Sequence, residues 1–201
     1  MSAFLACEAS TDVVSAALFV DGELRATAQR KIEPRSSGSL LELVPPMLEK
    51  AGIAFADLDD GLAIGRGPGS YAGLRTCVAT ANGWALPFGH RVWAIRSPMA
   101  LAAEYFAAHP DADRCVVAGR ARRDTFWRGE FVRTKGAAEA FVPEQDGEFT
   151  LVPAEPTPEA DVLCAPPSAE WIGRLMLAGV PSDEPLPLYM HPAVNIPPRF
   201  A

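Results

Sequence analysis

The chain has 201 residues, 49% apolar and 21% charged, with 25 acidic against 18 basic residues and a formal charge of −7. This describes a folded globular chain, one large domain or two small ones sharing a core, and excludes a disordered one. The acidic balance and the lack of a Lys/Arg run make the chain a poor candidate for gripping a phosphate backbone alone; such a chain can still join a complex whose other subunit is basic.

In chain order, FLACE (4–8) is an apolar run suited to a buried strand, and VVSAALFV (13–20) is a second, rich in β-branched residues. Asp21-Gly22 then separates it from the alternating ELRATAQRKI (23–32), a hairpin signal. SSGSLLELVPPMLEKAG (36–52) predicts a helix with a Ser39–Glu42 capping box. Pro45-Pro46 inside it predicts a kink, with its middle carbonyls turned to water or a partner. GLAIG (61–65) is a fourth strand, residues 70–86 a helix capped by Ser70, and RVWAI (91–95) a fifth strand. SPMALAAEYFAAH (97–109) is a helix with Ser97 at the cap and Pro98 at its first position.

The order β-β-β-α-β-α-β gives a mixed sheet with helices packed on it. Beyond residue 110, RCVVAGR (114–120) and FWRGEFV (126–132) read as paired strands. Residues 134–160 are rich in Pro, Gly and Glu and carry little periodicity. DVLCA (161–165) reads as a short strand and SAEWIGRLML (168–177) as a helix. The Pro-rich end of the chain is expected to lie along the surface. Residues 1–109 form a first lobe carrying the glycine loop, and 110–201 a second, smaller lobe with that tail.

Cys7, Cys77, Cys115 and Cys164 form no C-x-x-C, and His90, His109 and His191 show no metal-ligand spacing. Met1 leads into a strand-like run with no basic n-region or A-x-A site, and no apolar run reaches membrane-spanning length. A cytoplasmic protein is the expectation.

The informative stretch is GRGPGSYAGLR (65–75). It is not a Walker A loop, because no lysine lies in residues 51–134 to reach a phosphate. Gly67-x-Gly69-x-x-Ala72 matches a dinucleotide fingerprint formally, but the acidic residue expected near 92–95 is missing. Ser70 lacks the flanking glycine two positions before it that a nucleophile elbow needs, and no His–Asp pair is placed to activate it. A sharp strand-to-helix turn accounts for the glycines, and it leaves helix N–H groups that could meet an anion.

This motif, the preceding LAIG and the helix after it with small residues at Gly73, Thr76, Thr80 and Gly83 resemble the signature of the TsaB (YeaZ) family, which serves tRNA threonylcarbamoyladenosine biosynthesis. FLACEASTDVVSAALFVDGEL, SPMALAAEY, ARR (121–123) and PLYMHPAVNIP match further landmarks of the family. The resemblance implies an actin-like ATPase (ribonuclease H-like) fold: two α/β lobes, each a mixed sheet with packed helices, the second reduced. It also implies a subunit with no catalytic site of its own. Such a subunit pairs with the catalytic homologue TsaD through first-lobe helices and works with the TsaE-type ATPase. The pair transfers threonylcarbamoyl to the adenosine beside the anticodon of ANN-decoding tRNAs. Contact with tRNA is expected to be indirect, through the complex. A homodimer through much the same surface is a further implication.

Glu8 stands where the family usually has aspartate, Arg120 where an acid commonly precedes ARR, and Ser36 where relatives often have histidine. An arginine at 120 would not hold Mg²⁺. Glu8, Gly67, Gly69 and Ser70 remain candidate nucleotide or anion contacts, with no intrinsic cofactor or metal and ATP/Mg²⁺ entering only in the complex. Leu40, Leu41, Val44, Met47 and Leu48 are too many apolar positions for one narrow stripe. On pattern alone, either all face the home sheet or some face a partner; the resemblance implies the second, a partner interface of these five with Tyr71, Leu74, Arg75 and Val78. Two other readings are a small ATPase or phosphotransferase of the same fold, which needs carboxylates for Mg²⁺, and a peptidase, which needs a nucleophile–base pair.

Overall fold

The computed structural model describes residues 2–33, 39–122, 124–135 and 141–191. Among them, two sheets and four helices form. Strands β1 (Ala3–Glu8), β2 (Val13–Val20), β3 (Glu23–Lys31), β4 (Gly61–Gly65) and β5 (Val92–Ile95) make a sheet of order β3-β2-β1-β4-β5. The β1–β2 and β2–β3 pairs are antiparallel, whereas β1–β4 and β4–β5 are parallel. The β2–β3 turn is the expected one: Asp21 at φ 49° and Gly22 at φ 80° supply the two positive angles of a tight hairpin.

Every residue of β1 is buried, because the sheet is covered on both faces. Ala3, Leu5 and Cys7 meet α1 (Ser39–Ala51) and α2 (Tyr71–Ala85) on one side. Phe4 and Ala6 face the other side, with Phe4 stacked on Phe19 at 4.7 Å between ring centroids. That second face is covered by α4 (Ala169–Leu177), a helix from the far end of the chain, together with part of α3 (Ser97–Ala108). The Ala169 N–H donates to Ser15 Oγ at 2.9 Å and fixes the start of α4 on β2. Gly173 brings α4 close to the sheet, since a Cβ there would lie 2.2 Å from the Phe19 ring.

Helix α1 is continuous through Pro45-Pro46, and both prolines face outward. The carbonyls that lose a donor belong to the exposed residues Leu41 and Glu42, where water can serve them. Glu42 pairs with Arg30 of β3. The Ser39 side chain of the expected capping box, Ser36, Arg123 of the ARR landmark and the tail from 192 onward lie outside the described residues.

The second sheet has the order β8-β7-β6-β9, from β6 (Arg114–Arg120), β7 (Thr125–Lys135), β8 (Phe141–Pro153) and β9 (Val162–Leu163). β8 corrects the reading of 134–160 as irregular. It is a 13-residue edge strand along β7, and an edge tolerates the Pro143 and Pro153 that obscured it. The chain from 180 to 189 is an extended strap, as expected of its prolines. The Asp183 N–H donates to Ala94 O at 2.9 Å, and the Leu188 N–H to Arg66 O at 2.8 Å. The Asp183 carboxylate bridges Arg66 and Arg96, both at 3.2 Å.

Candidate functional site

The glycine loop joins β4 to α2 beneath the turn that joins β1 to β2. The Ser70 N–H donates to Ser10 O at 2.7 Å. Ser70 caps α2 as expected, its hydroxyl accepting the Gly73 N–H at 3.3 Å. The glycines make room for the neighbouring turn. A Cβ on Gly69 would lie 2.1 Å from Ser10 O, one on Gly73 2.1 Å from Ala9 O, and one on Gly65 1.6 Å from Glu8 Oε2. Gly67 has φ +96° and faces Leu74 and the strap at Leu188. Close packing of two loops is therefore what this glycine pattern serves.

Glu8 lies behind that junction with no exposure. Its Oε1 accepts the Ser10 N–H at 2.5 Å. Its Oε2 has no well-formed hydrogen bond, although the Ser97 hydroxyl is close by. Burial pushes the carboxyl above the usual glutamate range, and the hydrogen bonds around it only partly offset this. Ser97 does not cap α3 as the sequence suggested. Its hydroxyl accepts the Gly67 N–H at 2.9 Å, tying the glycine loop to α3, while Pro98 does stand at the start of the helix. The buried thiols Cys7 and Cys77 are pushed up by desolvation and behave as small apolar groups.

In front of the junction, between the two sheets, lies a cleft of about 830 Å³. Its walls include Ser10, Thr11 and Asp12 from the β1–β2 turn and Gly69, Ser70 and Gly73 from the loop and α2. Arg120 and Trp127 line it from the second sheet. Glu8 is not on this wall. Asp12 is, but it is exposed and pairs with Lys31 at 3.5 Å. Asp124 sits in a turn at φ 52°. Among the described residues no group of three His, Cys, Asp or Glu side chains is placed to hold a metal ion.

The structure decides between the alternatives for the apolar residues of the two helices. Leu40, Val44, Met47 and Leu48 lie in the chain's own core, as does Leu74. These five are packed in the chain's own core, which corrects the expectation that they form a partner interface. Val78 is half-buried against the same core. Leu41 is 56% exposed, beside the outward Pro45 and Pro46. Ala72, Thr76 and Gly83 are exposed on α2, and a Cβ on Gly83 would meet nothing within 4 Å. Tyr71 and Arg75 are exposed but engaged: Arg75 stacks on Tyr71, which also packs against Tyr189 of the strap.

Known proteins bear on this geometry. The model of the TsaD family, described as tRNA N6-adenosine threonylcarbamoyltransferase, matches residues 30–150, more than half of the chain. The TsaB protein of Haemophilus influenzae is 33% identical over 134 residues, 65% of this chain and 54% of that protein. The chain belongs to the TsaB/YeaZ family. It spans about half the length of that curated TsaB relative. YeaZ from Pseudomonas aeruginosa superposes at a TM-score of 0.76 with 25% identity, over 94% of this chain and all of that one. A second P. aeruginosa structure, described as similar to peptidase YeaZ, superposes at 0.80 with 24% identity, over 95% of this chain and all of that one. The TsaB/YeaZ fold is thus present in this chain, with α4 and the strap completing the first lobe from the end of the sequence. No helix of the described residues is long and apolar enough to cross a membrane.

Proposed function

We propose that this chain is a catalytically silent subunit of the tRNA threonylcarbamoyladenosine machinery. It pairs with a TsaD-type transferase, supported by a TsaE-type ATPase, during threonylcarbamoyl transfer to the adenosine beside the anticodon. The observation that carries this reading is the withdrawal of Glu8. The acid of the first strand-turn is sealed behind the glycine loop, away from the cleft, and favoured in its neutral form. A metal-dependent phosphoryl transfer needs ionised carboxylates facing the phosphates. The carboxylates that line the cleft are Asp12, paired with Lys31, and Glu33, and the wall opposite carries Arg120.

Membership of the TsaB/YeaZ family supports the pathway, and the exposed face of α1 and α2 supports the partner. Leu41, Pro45 and Pro46 on one helix and the small side chains of the other form an outward surface on which two partner helices can pack closely. The same surface would serve a homodimer when the partner is absent. Such a subunit has no cofactor of its own and resides in the cytoplasm with its tRNA substrate.

Reconstitution tests the reading. Purified TsaD and TsaE of the same organism should modify an ANN-decoding tRNA only when this chain is added. Equal product without it contradicts the proposal. A second reading, nucleotide binding by the chain itself, is favoured by the size of the cleft beside the α2 N-terminus. Calorimetric titration with Mg·ATP decides it: no heat is expected from the isolated chain, and saturable micromolar binding would favour an ATPase.

A further inference from the structure

Tyr71 opens α2, Arg122 sits in the β6–β7 turn of the second sheet, and Tyr189 belongs to the strap. The fold brings these distant residues to one place. The Tyr71 and Tyr189 rings stack with centroids 4.8 Å apart and planes 27° from parallel. The Arg75 guanidinium lies 4.6 Å from the Tyr71 centroid and that of Arg122 5.6 Å. Tyr71 and Tyr189 remain 41% and 40% exposed. Among the described residues, neither Arg75 nor Arg122 has a carboxylate within ion-pair distance, a condition they share with Arg25, Arg91, Arg120 and Arg133; what sets these two apart is that both stand over the one Tyr71 ring.

Two exposed aromatic rings and two guanidiniums thus make a local cationic, aromatic patch on a protein of charge −7. Tyr189 has one face on Tyr71 and no ring or guanidinium contact on the other among the described residues. The second face can take one more planar group. Arg75 and Arg122 supply positive charge beside it, and Arg120 stands in the same turn region. A flat π surface next to unpaired guanidiniums is the recognition chemistry of an unpaired nucleobase with its phosphate. Carboxylate partners would need the guanidiniums alone and make no use of the open ring.

We propose that the Tyr71–Tyr189–Arg75–Arg122 cluster is a stacking platform for unpaired bases of an RNA strand, so that this subunit touches RNA directly. That the strand is RNA rests on the function proposed above; the platform itself rests on the cluster. Its position at the junction of the two lobes and the strap means that a bound strand would also tie the strap to the second sheet.

The test is fluorescence anisotropy of the full chain with a fluorescein-labelled single-stranded RNA of about ten nucleotides, at low and physiological salt. Binding should weaken about ten-fold or more in Tyr189→Ala and in Arg122→Ala, both exposed and outside the core. It should be unchanged in Arg25→Ala, which removes the same charge from exposed β3. Thermal unfolding confirms that each variant is folded. The platform is overturned by absent binding, by equal losses in Arg25→Ala and Arg122→Ala, or by displacement of the RNA with micromolar ATP or an equally charged oligoglutamate. Light scattering with the TsaD partner separates the two ideas. Lost RNA binding with intact association sinks only the platform, and the reverse sinks only the subunit assignment.

Discussion

Glu8 is the residue on which the chemistry turns. Its Oε1 holds the Ser10 N–H and its Oε2 lies beside Ser97 without a well-formed bond. A proton on Oε2 would fill that gap by donating to Ser97. Burial raises the folded pKa above the unfolded one, so the stability attached to neutral Glu8 is complete in acid and is lost as pH rises through the folded value. Glu8→Gln keeps a neutral side chain with an acceptor and a donor in the same places. It should match the parent at low pH and exceed it at neutral pH in urea unfolding. Parallel curves for the two between roughly pH 4 and pH 8 would show that Glu8 stays ionised in the fold.

The glycines make a paired prediction. Gly69→Ala puts a methyl 2.1 Å from Ser10 O and should cost about 1–3 kcal/mol in the same assay. Gly83→Ala, with open space around it, should stabilise the isolated chain by about 0.5–1 kcal/mol. The Ser70 cap and the turn role of the glycines were legible in the sequence, because both follow from local spacing. The seat of Glu8 was not: a carboxylate beside a glycine loop reads the same whether it faces a cleft or a core.

At the scale of elements, helix periodicity located α1 and α2 but could not say which apolar residues face out. Six large apolar side chains, four Leu with Val44 and Met47, on 13 positions exceed one stripe, and only the sheet beneath α1 selects among them. Val44→Asp therefore buries a charge in the home core. It should unfold the chain, losing on the order of 3–5 kcal/mol, rather than merely block a partner. Leu41→Asp should leave the thermal midpoint nearly unchanged, because Leu41 is already in water. β8 was missed for a different reason. Prolines and a mixed pattern hide an edge strand whose one neighbour, β7, supplies all of its pairing.

For the molecule as a whole, the meander followed by alternating helix and strand was sufficient to read the mixed first sheet. The return of α4 to its far face was not readable, nor was the Arg66–Asp183–Arg96 staple of the strap. Both join residues more than 80 positions apart, and nothing local marks them. The strap pins the glycine loop from behind at Arg66–Leu188, α3 holds it at Gly67–Ser97, and among the described residues the outer face of α1 and α2 stays exposed. The proposed role as a silent subunit needs such a framework: a cross-tied lobe whose helices present one outer surface to a partner.

The most direct test of that claim is the mass in solution by light scattering, for this chain alone and mixed with the TsaD of the same organism. A one-to-one complex is expected, intact in Gly69-containing parent protein and lost in a folded Leu41→Asp variant. Two folded chains that pass each other without association, or a complex indifferent to Leu41→Asp, would contradict the account.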